Sequence, residues 1–140
     1  MFTVLVLAAC TGNPATCTAT PVAAPPLPAP ILISPASGAT GVSTGPLDVT
    51  IGNATAAGSL YLINPALAVG APGNFYGATN YRQTNPPSND VRTGTFTGLA
   101  SHTTYQVYAD VLSAPPYNPC GPNPMVVIDQ PMLLGSFTTG

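Results

Sequence analysis

The sequence contains very little charge. Two arginines and four aspartates are its only charged side chains, 4% of the chain, and lysine, glutamate and tryptophan do not occur at all. Surface helices are usually built from Glu, Lys and Arg, so this scarcity argues against solvent-facing helices. A net charge of −2 that includes only two cations cannot neutralise a phosphate backbone, and we therefore expect no nucleic-acid partner.

Residues that carry catalytic or metal chemistry are also scarce. With one histidine and no C-x-x-C pair among three cysteines, a zinc site is not expected. The aspartates stand apart, in neither a calcium-loop pattern nor a close carboxylate pair. Ser43 lies in a G-x-S-x-G pentapeptide, but Pro46 follows where a nucleophile elbow requires a helix. His102 is expected in an exposed turn, and the sequence predicts a non-enzymatic protein without cofactor or metal.

The abundant residues are those of short strands and tight turns. Threonine, valine and alanine are accompanied by 14 glycines and 18 prolines. From residue 31 onward, apolar and polar residues alternate as in half-buried strands, and about seven strands at this spacing predict an all-β, antiparallel sandwich. Residues 37–46 are predicted as a turn-rich connection and residues 64–81 as mostly loop. The predicted strands are Ile31–Pro35, Leu47–Ile51, Ser59–Ile63, Val91–Thr97, Thr104–Leu112, Met125–Ile128 and Leu133–Thr138.

The first ten residues resemble the start of a bacterial lipoprotein. Apolar Met1–Ala9 precedes Cys10, and Leu7-Ala8-Ala9-Cys10 is similar to a lipobox, in which an aliphatic residue and two small residues precede cysteine. The resemblance implies export, cleavage before Cys10 and lipidation of its thiol, with about 0.8 kcal/mol of anchoring per buried methylene. The positive charges that open a signal peptide are missing. A second interpretation, in which Phe2–Ala8 is an apolar strand, therefore stays open.

The next twenty residues are a proline-rich linker. Residues 11–30 contain mainly Pro, Ala and Thr, and five prolines fall between positions 21 and 30. Proline favours the extended polyproline II conformation, which acts as a semi-rigid spacer of about 3.1 Å per residue. The chain is thus predicted to consist of a lipobox-like or strand segment (1–10), the linker (11–30) and a β-sandwich (31–140). The first two parts form an extended N-terminal arm.

The segment from Gly98 to Ala109 resembles the turn between strands E and F of fibronectin type III domains. That family has a Gly-Leu pair, a short turn and then a Thr-Tyr pair that begins an alternating strand, as Gly98-Leu99 and Thr104-Tyr105 do here. The resemblance implies that Leu99 fills the core. It also implies that Tyr105 forms a tyrosine corner, with its hydroxyl bonded back to the backbone of the turn.

Two further segments resemble the same class of domain. Residues 35–44 are similar to the opening, and residues 136–139 to the last strand, of bacterial immunoglobulin-like modules. These resemblances imply an Ig-like or fibronectin type III-like sandwich. The core tryptophan of that family is missing, and we expect Leu47, Ile51 or Tyr61 to fill its space.

The three cysteines suit one anchor and one disulfide. If Cys10 carries lipid, Cys17 and Cys120 remain as a pair, which fits an oxidising compartment. A bridge between them is predicted, and the loop-entropy estimate gives it about 4 to 5 kcal/mol of stabilisation. Two free thiols are the alternative.

The segment from residue 74 to residue 87 is the predicted contact surface. It contains Phe75, Tyr76 and Tyr81 together with Arg82. Aromatic side chains on a sandwich loop can stack on sugars or anchor a protein partner, although they can equally pack in the core.

Two functions fit these features. The first is a non-enzymatic exported module for adhesion, envelope structure or ligand contact, with a protein or carbohydrate partner. A lipid anchor would be its one membrane contact, at the outer membrane or cell surface. The second is a self-assembling subunit of a filament or surface layer, in which Phe2–Ala8 is donated as a strand to a neighbouring copy. The lack of lysine, the residue that usually blunts sheet edges, favours the second.

Overall fold

The computed structural model describes residues 28–54, 57–84, 90–113 and 127–140. The lipobox-like segment, the linker up to residue 27 and the predicted sites at Cys10, Cys17 and Cys120 lie outside these residues. Tyr117 lies outside them as well.

Nine β-strands account for most of the described residues. Each is short except the last two, as expected for a chain rich in turn-forming glycine and proline. In chain order they are β1 (Ile31–Ser34), β2 (Ala39–Val42), β3 (Leu47–Gly52), β4 (Ala57–Ile63), β5 (Phe75–Gly77), β6 (Thr79–Thr84), β7 (Val91–Phe96), β8 (Thr104–Ser113) and β9 (Val127–Thr139).

The strands form two sheets that pack as an all-β sandwich. One sheet has the order β1-β3-β7-β6, and the other has the order β2-β9-β8-β4-β5. Among the described strand pairs, β2 and β9 run parallel and the others run antiparallel. The predicted sandwich is therefore confirmed, while the strand count rises from about seven to nine and one pair departs from the antiparallel prediction.

The differences from the predicted strands have physical reasons. β2 lies in the segment that was predicted as turns. Gly38 and Gly41 do have the positive φ of turn glycines. The residues nevertheless form a strand, because they pair with β9. β5 and β6 lie in the segment predicted as mostly loop and are likewise defined by their partners β4 and β7. β9 runs without a break through Pro131, which pairs with Asp110 of β8. The register between β8 and β9 shifts between Asp110 and Leu112, directly beside this pair, and bulges are positions where a strand tolerates proline.

The core lies between the inner faces of the two sheets. Alternation along β3, β4, β7 and β8 turns every second side chain inward. Ile51 is fully buried, Leu47 is half-buried and Tyr61 faces outward, so Ile51 is the core member of the three residues expected to replace tryptophan. The buried apolar residues are Val49, Ile51, Ala54, Ala57, Leu60, Leu62, Phe96, Leu99, Tyr105, Val107, Ala109 and Phe137.

Gly135 permits close packing between β9 and the segment that follows β1. A Cβ atom at this position would lie 2.7 Å from Ser37 Oγ and 2.9 Å from Leu32 Cδ2. We expect Gly135→Ala to lower the free energy of unfolding by about 1 to 3 kcal/mol through overpacking, measured by urea denaturation. Gly77→Ala is the matched control, because its new methyl would meet only Phe75 Cε1 at 3.7 Å. Equal effects of the two changes would contradict this explanation.

The sandwich contains no α-helix in its described ranges. Consequently none of those residues belongs to a helix long and apolar enough to cross a bilayer.

Candidate functional site

The turn between β7 and β8 is held by a buried tyrosine. Tyr105, at the start of β8, has no exposed surface, and its hydroxyl accepts a hydrogen bond from the backbone N–H of Ala100 at 2.9 Å. Leu99 is 6% exposed and belongs to the core. His102 is exposed and adopts a positive φ of 49° at the tip of the turn. The local sequence thus fixes the path of the chain from one sheet to the other.

Thr139 ties the end of β9 to the same turn. Its hydroxyl donates to the carbonyl of Ala100 at 2.6 Å and accepts from the backbone N–H of Thr103 at 2.9 Å. Its backbone N–H donates to the carbonyl of Thr103 at 3.0 Å. Thr139 is 2% exposed, so its hydroxyl has little access to water as an alternative partner.

We expect Thr139→Val to lower the free energy of unfolding by about 1 to 3 kcal/mol. The change keeps the shape of the side chain but leaves the Thr103 N–H and the Ala100 carbonyl without their hydroxyl partner. Thr138→Val is the control, because the Thr138 hydroxyl bonds only to that of Thr104 on the exposed side of the sheet. Thermal and urea unfolding of both variants measure the difference, and a larger loss for the control would contradict the proposed role of Thr139.

The outer face of the five-stranded sheet carries a row of aromatic side chains. Tyr61 of β4 and Tyr108 of β8 are cross-strand partners, and their rings stack with centroids 5.7 Å apart at an angle of 9°. The ring of Phe75 of β5 lies on the other side of Tyr61, with centroids 5.3 Å apart. Leu133 of β9 pairs with Tyr108 and extends the row. We call Phe75, Tyr61, Tyr108 and Leu133 the aromatic row.

The aromatic row is accessible, and few charges lie near it. Phe75 is 59% exposed and Leu133 is 49% exposed. The hydroxyl of Tyr108 donates to Gln106 Oε1 at 3.2 Å. Burial raises the pKa of Tyr61 above its ordinary value of 10.0, and the carboxylate of Asp110 raises it further. The phenol of Tyr61 is therefore a neutral hydrogen-bond donor at physiological pH.

A groove with a volume of about 280 Å³ opens at the Phe75 end of the row. It forms because β5 is only three residues long, so that β4 is uncovered beyond the end of β5. After Gly77 the chain leaves this sheet and enters β6 of the other one. The groove is lined by Ser59, Leu60, Tyr61, Phe75, Gly77 and Ala78, none of which is charged.

The loop between β4 and β5 is braced from within. Asn64 and Asn74 are both buried, and the Asn74 side chain donates to the carbonyls of Asn64 and Leu67 at 3.0 and 3.1 Å. The Asn64 side chain accepts from the N–H of Ala66 at 3.0 Å. These bonds fix the start of β5, and with it the position of Phe75. Val69, at 98% exposure, projects from this loop outside the groove.

The four residues of the predicted contact surface belong to strands of two different sheets. Phe75 faces outward, but Tyr76 is half-buried, with its ring 5.5 Å from that of Tyr105 in an edge-to-face arrangement. Tyr81 and Arg82, of which the structure describes the backbone alone, belong to β6 in the other sheet. Of the four predicted residues, Phe75 is thus the one that joins the aromatic row.

Tyr61 and Tyr108 complete the row, and neither was a predicted contact residue. The signal that could have found them is the alternation of the two strands. In β8, burial of Tyr105, Val107 and Ala109 leaves Tyr108 on the opposite face. Their adjacency depends on the register between β4 and β8, which pairs them directly.

Catalytic and metal-binding groups do not gather at this face. No group of three His, Cys, Asp or Glu side chains that could hold a metal ion occurs within residues 28–54, 57–84, 90–113 and 127–140. The hydroxyl of Ser43 accepts the N–H of Gly45 at 3.2 Å, as a turn residue does.

Comparison of the chain with protein-family models, curated proteins and solved structures found no match.

Proposed function

We propose that this protein is a non-enzymatic, exported contact module that is anchored by a lipid on Cys10 and acts through the aromatic row. The observation that carries the proposal is the row itself, which sets partly exposed apolar side chains side by side on a rigid sheet. Contiguous exposed apolar side chains mark interaction sites more often than scattered ones do. Aromatic residues contribute the most to such contacts.

The strand order supports an Ig-like or fibronectin type III-like module. In that class one sheet has the order A-B-E-D and the other contains C, F and G. The order β1-β3-β7-β6 corresponds to A-B-E-D, and β4, β8 and β9 correspond to C, F and G, flanked by β5 and β2. The Tyr105 hydroxyl that bonds back to Ala100 supports the same assignment.

Footprinting in the native envelope tests the contact role. Hydroxyl radicals oxidise exposed aromatic side chains, so we expect Phe75, Tyr61 and Tyr108 to be oxidised several-fold less in intact envelopes than in the purified full chain. Val69 is the internal reference, because it is exposed and lies outside the row. Equal oxidation of the row in both samples, normalised to Val69, would overturn the proposal.

Intact mass spectrometry tests the anchor. If the lipobox resemblance reflects function, the native chain begins at Cys10 and carries added acyl mass. An unmodified chain that retains residues 1–9 would overturn the proposed lipid anchor. The contact role would then be decided by the footprinting experiment alone. Comparison with and without reduction would also show whether Cys17 and Cys120 are bridged.

The second candidate function is that of a self-assembling subunit, and the edge of β9 favours it. β9 pairs with β8 along its length, but its described pairing with β2 involves only Phe137 and Thr139. Residues 127–134 thus have an open edge within the described residues, and an added strand could pair there. Phe2–Ala8 of a neighbouring copy would be that strand. Substituting Val4 and Val6 by aspartate should then dissociate oligomers of the unprocessed chain, measured by sedimentation. Oligomers unchanged by these substitutions would contradict the donor-strand assignment.

A further inference from the structure

The groove at the Phe75 end of the aromatic row has the chemistry of a site for a proline-rich strand. Its lining is mainly aromatic and aliphatic, with the one hydroxyl side chain of Ser59 beside the phenol of Tyr61, and it contains no charged side chain. Segments in the polyproline II conformation dock in aromatic-lined grooves, because their extended shape is already formed and little conformational entropy is lost. The volume of about 280 Å³ is just below the range of about 300 to 1,000 Å³ for drug-sized ligands, which suits a few compact residues.

The hydrogen-bonding groups of the groove complement such a strand. Proline has no backbone N–H, so a proline-rich strand presents carbonyl acceptors and needs donors from its partner. The hydroxyls of Ser59 and Tyr61 lie at the groove and can donate. In the described part of the chain, no hydrogen bond occupies either hydroxyl. Burial holds the pKa of the Tyr61 phenol above 10.0, so this donor keeps its proton at physiological pH.

The chain itself contains a matching strand. Residues 25–28 read Pro-Pro-Leu-Pro, a P-x-x-P sequence of the kind that aromatic grooves recognise. The motif is uncharged, as is the groove lining, so no charged group loses solvation when they meet. A partner with a charged recognition motif would find no counter-charge among the lining residues.

Pro28, the last residue of the motif, lies beside the four-stranded sheet, whereas the groove belongs to the other sheet. The carbonyl of Ala29 accepts a hydrogen bond from Asn53 Nδ2 at 3.1 Å, which holds residue 29 beside the end of β3 in the four-stranded sheet. Pro28 is its direct neighbour, and Pro30 is buried. The groove lies at the β4–β5 edge of the other sheet, and packed sheets lie about 10 Å apart. One residue of extended chain spans only about 3.1 Å in this conformation.

We propose that the Pro25–Pro28 segment of one copy docks in the Tyr61–Phe75 groove of a second copy. This inference rests on the proposed contact role of the aromatic row and names its partner. Segment and groove are different parts of the chain, so the contact is head-to-tail and leaves a free groove and a free segment at the ends. Repetition of the contact builds open chains. Six residues line the groove, far fewer than the roughly 20 to 30 residues per partner of a stable face-to-face interface, which favours a short peptide segment over a flat interface.

Mixing two disabled full-length variants tests the proposal by sedimentation velocity. Phe75→Ser disables the groove, while Pro26→Ala together with Pro28→Ala disables the segment. We expect the wild-type chain to form a concentration-dependent series of oligomers and each variant alone to be monomeric. An equimolar mixture should give one-to-one dimers and nothing larger, because each dimer ends in a disabled groove and a disabled segment. Val69→Ser removes an even more exposed apolar side chain outside the groove and should associate as the wild type does.

A synthetic peptide of residues 20–30, titrated into the segment-disabled variant and followed by NMR, gives a second measurement. Saturable shifts at Tyr61, Phe75 and Gly77 are expected, with binding at least tenfold weaker for the peptide carrying both alanines. Gly77→Val, which fills the groove without a steric clash at Cβ, should weaken binding similarly. Absence of dimers in the mixture, oligomers that persist in both variants, or shifts with neutral oligosaccharides but not with the peptide would each overturn the proposal. If the aromatic row of the segment-disabled variant is still protected from oxidation in intact envelopes, the Pro25–Pro28 segment is not the partner. The contact role of the row would then stand.

Discussion

Replacing Tyr105 by alanine is expected to lower the free energy of unfolding by about 3 to 5 kcal/mol. The side chain has no exposed surface, and its ring lies 5.5 Å from the ring of Tyr76 and 5.8 Å from that of Phe137. Its hydroxyl also accepts the N–H of Ala100. Alanine removes the ring contacts, leaves a cavity and leaves the Ala100 N–H without its partner. Urea denaturation followed by circular dichroism measures the loss.

Tyr105→Phe separates the hydroxyl from the ring. Phenylalanine keeps the packing, so the expected loss is about 1 to 2 kcal/mol, the value of one buried hydrogen bond. A loss as large as that of the alanine variant would show that the hydroxyl, rather than the ring, supports the corner.

Tyr105→Phe is also expected to change how the free energy of unfolding depends on pH in alkaline solution. Burial raises the pKa of Tyr105 above 10.0, although the hydrogen bond from Ala100 lowers it in part. Below pH 10 the phenol is neutral in both states. As the pH rises further, the unfolded chain releases this proton first, and stability falls until the pH passes the folded pKa. As the pH rises above about 10, Tyr105→Phe should therefore lose less stability than the wild type. Equal pH slopes would contradict the raised pKa.

Local patterns in the sequence predicted the parts of the fold that local patterns determine. β3, β4, β7 and β8 alternate clearly, and burial of every second residue follows directly from strand geometry. The turn before Tyr105 is similarly local, because Gly98, Leu99 and Tyr105 lie within one short segment. Long-range pairing decides the rest. β2 and β5 have four and three residues and exist through their partners. The two strands predicted at Met125–Ile128 and Leu133–Thr138 are joined from Val127 onward in β9, whose register with β8 shifts beside Pro131.

The candidate site was harder to predict because it is built across strands. Phe75, Tyr61 and Tyr108 come from β5, β4 and β8, and only the register brings their rings together. The contiguous segment of residues 74–87 contributes one of these three rings, that of Phe75. It crosses from the edge of one sheet to the edge of the other, and its half-buried Tyr76 packs against the core. The predictions for Cys10, Cys17 and Cys120 remain predictions, as they lie outside the described residues.

Phe96 and Phe75 provide a matched test of which aromatic residues hold the fold and which are available for contact. Phe96 of β7 is 1% exposed and belongs to the core, whereas Phe75 of edge strand β5 is 59% exposed. Phe96→Ala should cost about 3 to 5 kcal/mol, because it removes a buried ring and leaves a cavity that the two sheets cannot close. Phe75→Ala should cost less than about 1 kcal/mol, since its ring loses mainly the contact with Tyr61.

The measurement is the urea midpoint of each variant, with an unchanged slope as the criterion that both unfold in the same way. A costly Phe75→Ala would mean that this side chain supports the sandwich, and its exposure would then be a poor argument for a contact role. If Phe75→Ala is nearly neutral while Phe96→Ala is costly, the stability of the fold does not explain why an exposed phenylalanine occurs on a three-residue edge strand. Binding would then be the remaining physical reason for an apolar ring at that position.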